Sequence, residues 1–295
     1  MIIVRLFGGM GNQMFQYALG RVLSIKNNTE LVLDTVHLTD HGKRFWYPKH
    51  VNRNYDLDLF SIQARIATQS DIPRKYRVWG NTFLKDIIYI LTRKLFKNPY
   101  KEKYFHFDPN ILTAPDDSYV EGFWQSYKYF ENYTDVIRKD FQIVTPLSQE
   151  IKNLGNEIQN SESLCVHVRR GDFVNNAYHE VVNLEYYKKA FQIISKQFLI
   201  KKVYVFSDDI TWCRENIHFP IETMYIEDLF AGERGIGHFW LMQQGKYFII
   251  PNSTFSWWAA WLSERKDKQV IAPKKWFADE TINYNDVYPI DWIRI

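Results

Sequence analysis

Two adjacent arginines, Arg169 and Arg170, stand in HVRRGD at 167–172, directly after an apolar run. A guanidinium meets phosphate oxygens through two parallel hydrogen bonds, so the pair suits a nucleoside diphosphate as it leaves. A surface ion pair with Asp172 is the plainer alternative, and the position after a strand favours the phosphate. A second cluster, FSDD at 206–209, sets Asp208 beside Asp209. Adjacent aspartates suit a metal, a ribose, a base edge or the cap of a following helix, and the sequence leaves these open. A third, NSTFS at 252–256, puts Asn252, Ser253, Thr254 and Ser256 at the start of an aromatic helix, where hydroxyls and amides favour phosphate. In the fourth, GGMGNQMF at 8–15, Gly9, Gly11 and Asn12 form a turn that lets the backbone approach a ligand. A tight strand-to-helix turn explains those glycines equally well. The dinucleotide fingerprint fails, because its third glycine would fall on Met14. Asp34 still stands near the place of a ribose-binding acid, which keeps a nicotinamide reading open.

These clusters need elements to position them. Ile2–Phe7 reads as a strand, 12–23 as a helix and Leu31–Asp34 as a strand, the opening of a Rossmann-like layer. Residues 119–124 read as a strand and 125–141 as a helix. Pro146, Gly155 and the polar residues around them place a boundary near 145–160, giving domains of 1–150 and 151–295. Beyond it, strands are expected at 164–168, 203–206, 222–226, 247–250 and 270–272. Helices are expected at 183–198, with Asn183 as cap, and at 211–217, 239–244 and 257–263. Four of these strands end in a polar cluster, where open α/β sheets bind ligands. Residues 82–97 read as a basic amphipathic helix, expected to pack on the domain core or, less commonly, to make peripheral contact with the inner membrane face.

Composition narrows the classes. At 46% hydrophobic and 24% charged residues, the 295-residue chain is an ordinary globular protein, not a disordered or fibrous one. A net charge of +3 is too balanced for a dedicated nucleic-acid binder. Two cysteines, Cys165 and Cys213, make neither a zinc site nor a disulfide framework, so a reducing cytoplasm is the default location. No run approaches the roughly 18 apolar residues of a membrane span. No His/Cys cluster or spaced acidic pair offers a metal site. The one Asp-x-Asp match, Asp56 to Asp58, alternates with apolar residues as an extended segment does. Aromatic residues reach 17%, with Trp257, Trp258 and Trp261 assigned to the core.

Six segments in order, GGMGNQMFQYALG, GFWQS at 122–126, HVRRGDF, EYYKKA at 185–190, FSDDITWCREN and NSTFSWWAAWL, resemble the bacterial α-1,2-fucosyltransferases of glycosyltransferase family 11. The resemblance implies a GT-B-like α/β architecture, two Rossmann-like domains facing a cleft, with the acceptor on the first and GDP-fucose on the second. It implies GDP-β-L-fucose as donor, a terminal β-galactoside of a surface glycan such as O-antigen as acceptor, and no divalent metal or other cofactor. In the related enzymes the second arginine of the motif holds the diphosphate, which here is Arg170. Gly9, Gly11, Asn12, Arg169, Asp208, Asp209, Asn252, Ser253, Thr254 and Ser256 complete the expected donor set. An inverting displacement follows, with charge on the β-phosphate met by Arg170, assisted by Arg169 or His167. Asp172 is the first candidate for the base and His167 the second, and either alternatively holds the arginines. His238 stands where the family commonly has an acid. Two rival classes remain: a nucleotide-cofactor oxidoreductase, from the glycine turn and Asp34, and a non-catalytic carbohydrate-binding protein, from the aromatic surplus.

Overall fold

Short runs rich in branched apolar residues become the strands, buried on both faces as parallel sheets require. The computed structural model describes residues 1–39, 53–73, 98–171 and 182–295. It divides into two units, Met1–Gln142 and Ile143–Ile295. The expected division after residue 150 is corrected: it would cut a helix, Gln149–Gln159, that belongs to the second unit. That helix places Ile151, Leu154, Gly155 and Ile158 on one buried face, and Gly155 lies so close to Trp240 that a Cβ there would stand 2.1 Å from the indole.

The first unit carries β1 (Ile2–Arg5), β2 (Leu31–Asp34), β3 (Arg65–Ile66) and β4 (Tyr119–Val120). Their order is β3-β2-β1-β4 and every pairing is parallel. Helix α1 (Met10–Lys26) joins β1 to β2 and is buried along most of its length. The second unit carries β5 (Ser163–Val168), β6 (Lys202–Ser207), β7 (Thr223–Tyr225), β8 (Tyr247–Ile249), β9 (Gln269–Ala272) and β10 (Ile293–Arg294). Their order is β10-β9-β8-β5-β6-β7, again parallel throughout. In each unit the chain lays down strands in one direction from its first strand, then returns to that strand's other side. This is the doubly wound pattern, and it makes a switch point between β1 and β4 and another between β5 and β8.

The expected helices of the second unit are present as Leu184–Gln197, Ile210–Asn216, Ile236–Gln243 and Thr254–Leu262. Asn183 caps the first of them, accepting from Tyr186 N at 3.1 Å. Trp257, Trp258 and Trp261 lie in the core. Three local expectations are corrected. The strand at 119–124 stops at Val120, because the chain turns at Trp124, whose φ is +57°. Residues 125–141 are not one helix but 3-10 turns at Tyr127–Tyr129 and Glu131–Tyr133 followed by a helix, Thr134–Asp140. Trp124, Tyr129 and Phe130 are all buried, a spacing that one helical stripe does not satisfy. Leu57–Leu59 is a 3-10 turn rather than extended, with both leucines buried. The helix expected at 82–97 lies outside the described residues.

Candidate functional site

In the second unit β8, β5 and β6 are neighbours, so their parallel carboxyl ends bring three of the polar clusters, 167–172, 206–209 and 252–256, to one edge. The centre of that edge is the β5–β8 switch point. Asp208, after β6, reaches across to the loop after β5. Its Oδ1 accepts from Arg170 N at 2.8 Å, and its Oδ2 accepts from Gly171 N at 3.0 Å and pairs with Arg169 Nη1 at 2.9 Å. A Cβ on Gly171 would stand 2.5 Å from Asp208 Oδ2, so the clamp needs glycine there. Asp209 Oδ1 accepts from Trp212 N at 3.2 Å, capping the helix Ile210–Asn216, while Oδ2 accepts from Arg170 Nε at 3.1 Å. The Arg170 guanidinium lies 3.7 Å from the Trp212 ring centroid. These contacts use Nε and one face, and leave the two terminal amino groups without a partner among the described residues.

The motif tyrosines lock the same edge from below. Tyr186 Oη donates to Ile250 O at 2.6 Å, and Tyr187 Oη donates to His167 O at 3.2 Å. His167 is buried against Phe255, and its Nδ1 has no partner among the described residues. Burial, with Arg169 and His238 adding like charge, pushes its pKa down to about 3. The ring is therefore neutral at working pH and a weak proton acceptor, which argues against His167 as the base. His238 is likewise buried, with Nε2 on Glu227 O at 3.0 Å. Asp172 lies outside the described residues.

The hydroxyl cluster is only partly available. Ser253 precedes the helix Thr254–Leu262 without bonding its side chain to it, and Thr254 is half-buried. Ser256 is fully buried and turns its hydroxyl to Ser253 O, which takes it out of the expected donor set. Asn252 is buried and donates to Trp276 O at 2.9 Å, holding the loop after β9. No group of three or more His, Cys, Asp and Glu side chains among the described residues is placed to hold a metal.

Gly9, Gly11 and Asn12 belong to the first unit and mark its own switch point. Gly8 has φ +81°, a conformation that favours glycine. Gly9 precedes α1, and among the described residues nothing lies within 4 Å of where its Cβ would be. Asn12 Oδ1 accepts from Gln125 Nε2 at 2.8 Å, which ties the turn after β1 to the loop after β4. Asp34 is buried, with its oxygens on Tyr119 Oη at 2.6 Å and Val36 N at 3.0 Å. The acid that a nicotinamide reading requires is thus committed to the fold.

Residues 60–295 match Glycosyl transferase family 11. The chain belongs to that family. Over its whole length it is 30% identical to an Escherichia coli protein described as alpha-1,2-colitosyltransferase, covering 98% of that relative. It is also 30% identical to the Escherichia coli O-antigen biosynthesis glycosyltransferase WbnK, with 98% of this chain and 99% of the relative covered. Among solved structures, the NodZ alpha-1,6-fucosyltransferase co-crystallized with GDP matches with a TM-score of 0.54 at 15% identity, covering 88% of this chain and 90% of that one. That likeness shows the fold, GT-B-like and α/β. The chain is therefore a family 11 glycosyltransferase.

The arginines and aspartates singled out in the sequence lie together at this edge, and the sequence reading missed what holds them. Trp212 is the platform for Arg170, and Tyr186 and Tyr187 tie strand ends; all three lie in motif segments without a polar signal of their own. In the first unit, Gln13 and Gln16 read as ordinary helix residues. Both are fully buried and bond the main chain of the glycine turn and its surroundings.

Proposed function

We propose that this family 11 enzyme transfers L-fucose from GDP-β-L-fucose to the 2-hydroxyl of a terminal β-galactoside, with inversion, in the synthesis of O-antigen or another surface glycan. The observation that carries the reading is Arg170, braced by Asp209 and Trp212 at the β5–β8 switch point. A braced guanidinium with two open amino groups suits a charge that grows on a departing diphosphate. The names of relatives support the rest: a rat galactoside alpha-(1,2)-fucosyltransferase 2 is 26% identical over 89% of this chain.

The acceptor oxygen attacks the anomeric carbon opposite GDP. The new C–O bond forms as the bond to the β-phosphate oxygen breaks, and the electron pair leaves with GDP. Arg170 and Arg169 meet that charge without a divalent metal. The acceptor proton passes to a carboxylate, for which Asp172 is our candidate. One displacement turns the β-donor into an α-product, with no glycosyl-enzyme.

A second donor is favoured by the 30% identity to a colitosyltransferase. Colitose is fucose without its 3-hydroxyl. A site that hydrogen-bonds that hydroxyl rejects the deoxy sugar by about 10⁴-fold, whereas a site indifferent to it takes both. Incubation with GDP-fucose, GDP-colitose and a β-galactoside, followed by NMR of the product, tests every part. An α-1,2-fucoside is expected; a β-linkage, another hydroxyl or preference for GDP-colitose would each overturn the corresponding element.

A further inference from the structure

The first unit's switch point carries a pair of aromatic rings that the reaction scheme leaves unused. Phe7 follows β1 and Phe123 follows β4, and their rings meet edge to face at 4.6 Å and 75°. Phe123 remains 38% exposed, one of seven large apolar side chains so open among the described residues. Each ring sits on main chain held by a polar side chain. Gln16, fully buried, accepts from Phe7 N and donates to Phe7 O, both at 3.1 Å. Glu102, half-buried, accepts from Phe123 N at 2.7 Å and from Trp124 N at 2.9 Å. Trp124 is held at φ +57°, costly for a bulky residue. A buried glutamine, a half-buried carboxylate and a left-handed backbone, all spent on fixing two ring positions, point to a ligand that needs the rings there. The place agrees, since doubly wound sheets bind ligands outside the carboxyl ends at the switch point.

We propose that Phe7 and Phe123 form a shelf for the apolar face of the acceptor's galactose-type pyranose. The axial 4-hydroxyl of galactose leaves H3, H4 and H5 together on one face, and these weakly positive hydrogens match the negative face of an aromatic ring. Arg5 and Lys101 nearby both pair with Glu121, at 3.1 and 3.4 Å, so neither is left as an open cation toward the rings. The proposal rests on the galactoside acceptor of the preceding section.

The test pairs kinetics with saturation-transfer NMR of methyl β-galactoside on the full chain. Phe123→Ala should raise the acceptor KM by about tenfold, with the GDP-fucose KM unchanged. Phe123→Leu should lose as much, whereas Phe123→Tyr and Phe123→Trp should restore the KM, because a ring rather than mere bulk is required. H3, H4 and H5 should receive the strongest saturation from wild type and lose it with Phe123→Ala. An unchanged acceptor KM, rescue by leucine, or saturation indifferent to Phe123 overturns the shelf. If wild type gives the NMR contact but transfers no fucose, the donor reading fails and the shelf stands.

Discussion

Arg170 offers the sharpest test, because its structural and chemical contributions differ in size. Its ion pair with Asp209 joins partly exposed side chains, 26% and 40% accessible, and such pairs contribute about 0–1 kcal/mol to stability. Stacking on Trp212 adds about 0.5–2 kcal/mol. Arg170→Ala should therefore lower folding stability by about 1–2 kcal/mol. Loss of a charge-stabilising donor in the transition state costs about 2.7–4 kcal/mol, a hundredfold to thousandfold in kcat. Arg170→Lys keeps the charge but not the planar fork, and should recover little. Trp212→Leu leaves the Asp209 pair and removes the platform, so kcat should fall by about tenfold from looser positioning. The assays are denaturant unfolding and steady-state transfer from GDP-fucose. An Arg170→Ala enzyme with near wild-type kcat, or one whose loss in kcat merely tracks its loss in stability, would refute the assignment.

Asp208→Asn replaces an acceptor-only carboxylate with an amide that confronts backbone N–H groups. Hydrogen exchange at 169–171 should quicken and kcat fall by about tenfold or more, since an unmet partner costs about 1–3 kcal/mol; unchanged exchange would show that Asp208 is not the clamp. Transfer should survive excess EDTA, because the oxygens of Asp208 and Asp209 already serve amides and guanidinia; loss restored by manganese or magnesium would promote them to metal ligands. His167 is held neutral well below its ordinary 6.5, so the unfolded chain binds a proton that the folded chain refuses. Its contribution is complete above pH 6.5 and is lost on acidification, by about 2 kcal/mol at pH 5, a slope that His167→Phe should remove in pH-dependent unfolding. Burial raises the Glu102 carboxyl to about 7 from its ordinary 4.5 despite its two amide donors. Here the folded state keeps the proton longer, so stability falls as pH rises from 4.5 to 7, by up to about 3 kcal/mol, and Glu102→Gln should flatten that fall.

What the sequence disclosed followed from locality. Each strand of the second unit is a contiguous apolar run, and a polar cluster immediately after it must lie at its carboxyl end. Arg169, Arg170, Asp208 and Asp209 were therefore legible as neighbours once the sheet was inferred to be parallel. Two-residue edge strands such as Arg65–Ile66 and Ile293–Arg294 carry too little periodicity to be seen. The segment after β4 misled because its apolar content resembles a helix, while a left-handed Trp124 and a dispersed set of buried aromatics break it into turns. Ser256 misled for another reason: its residue type suits phosphate, and only packing reveals that it is buried with its hydroxyl on the Ser253 carbonyl.

The two switch points are built by the same device with different side chains. In the second unit a carboxylate, Asp208, fixes the backbone after β5 and balances Arg169, so cationic groups are presented without large net repulsion. In the first unit Gln13, Gln16 and Glu102 fix the backbone around β1 and β4, and the nearby cations are paired with Glu121. A diphosphate carries charge that must be met during bond breaking, whereas a neutral sugar needs shape and weak dipoles. On the proposed reading the nucleotide lies on the second unit and the acceptor sugar on the first. On the same reading the aspartates act as braces: a carboxylate that steadies a guanidinium would lower the reorganisation needed when the leaving group's charge appears.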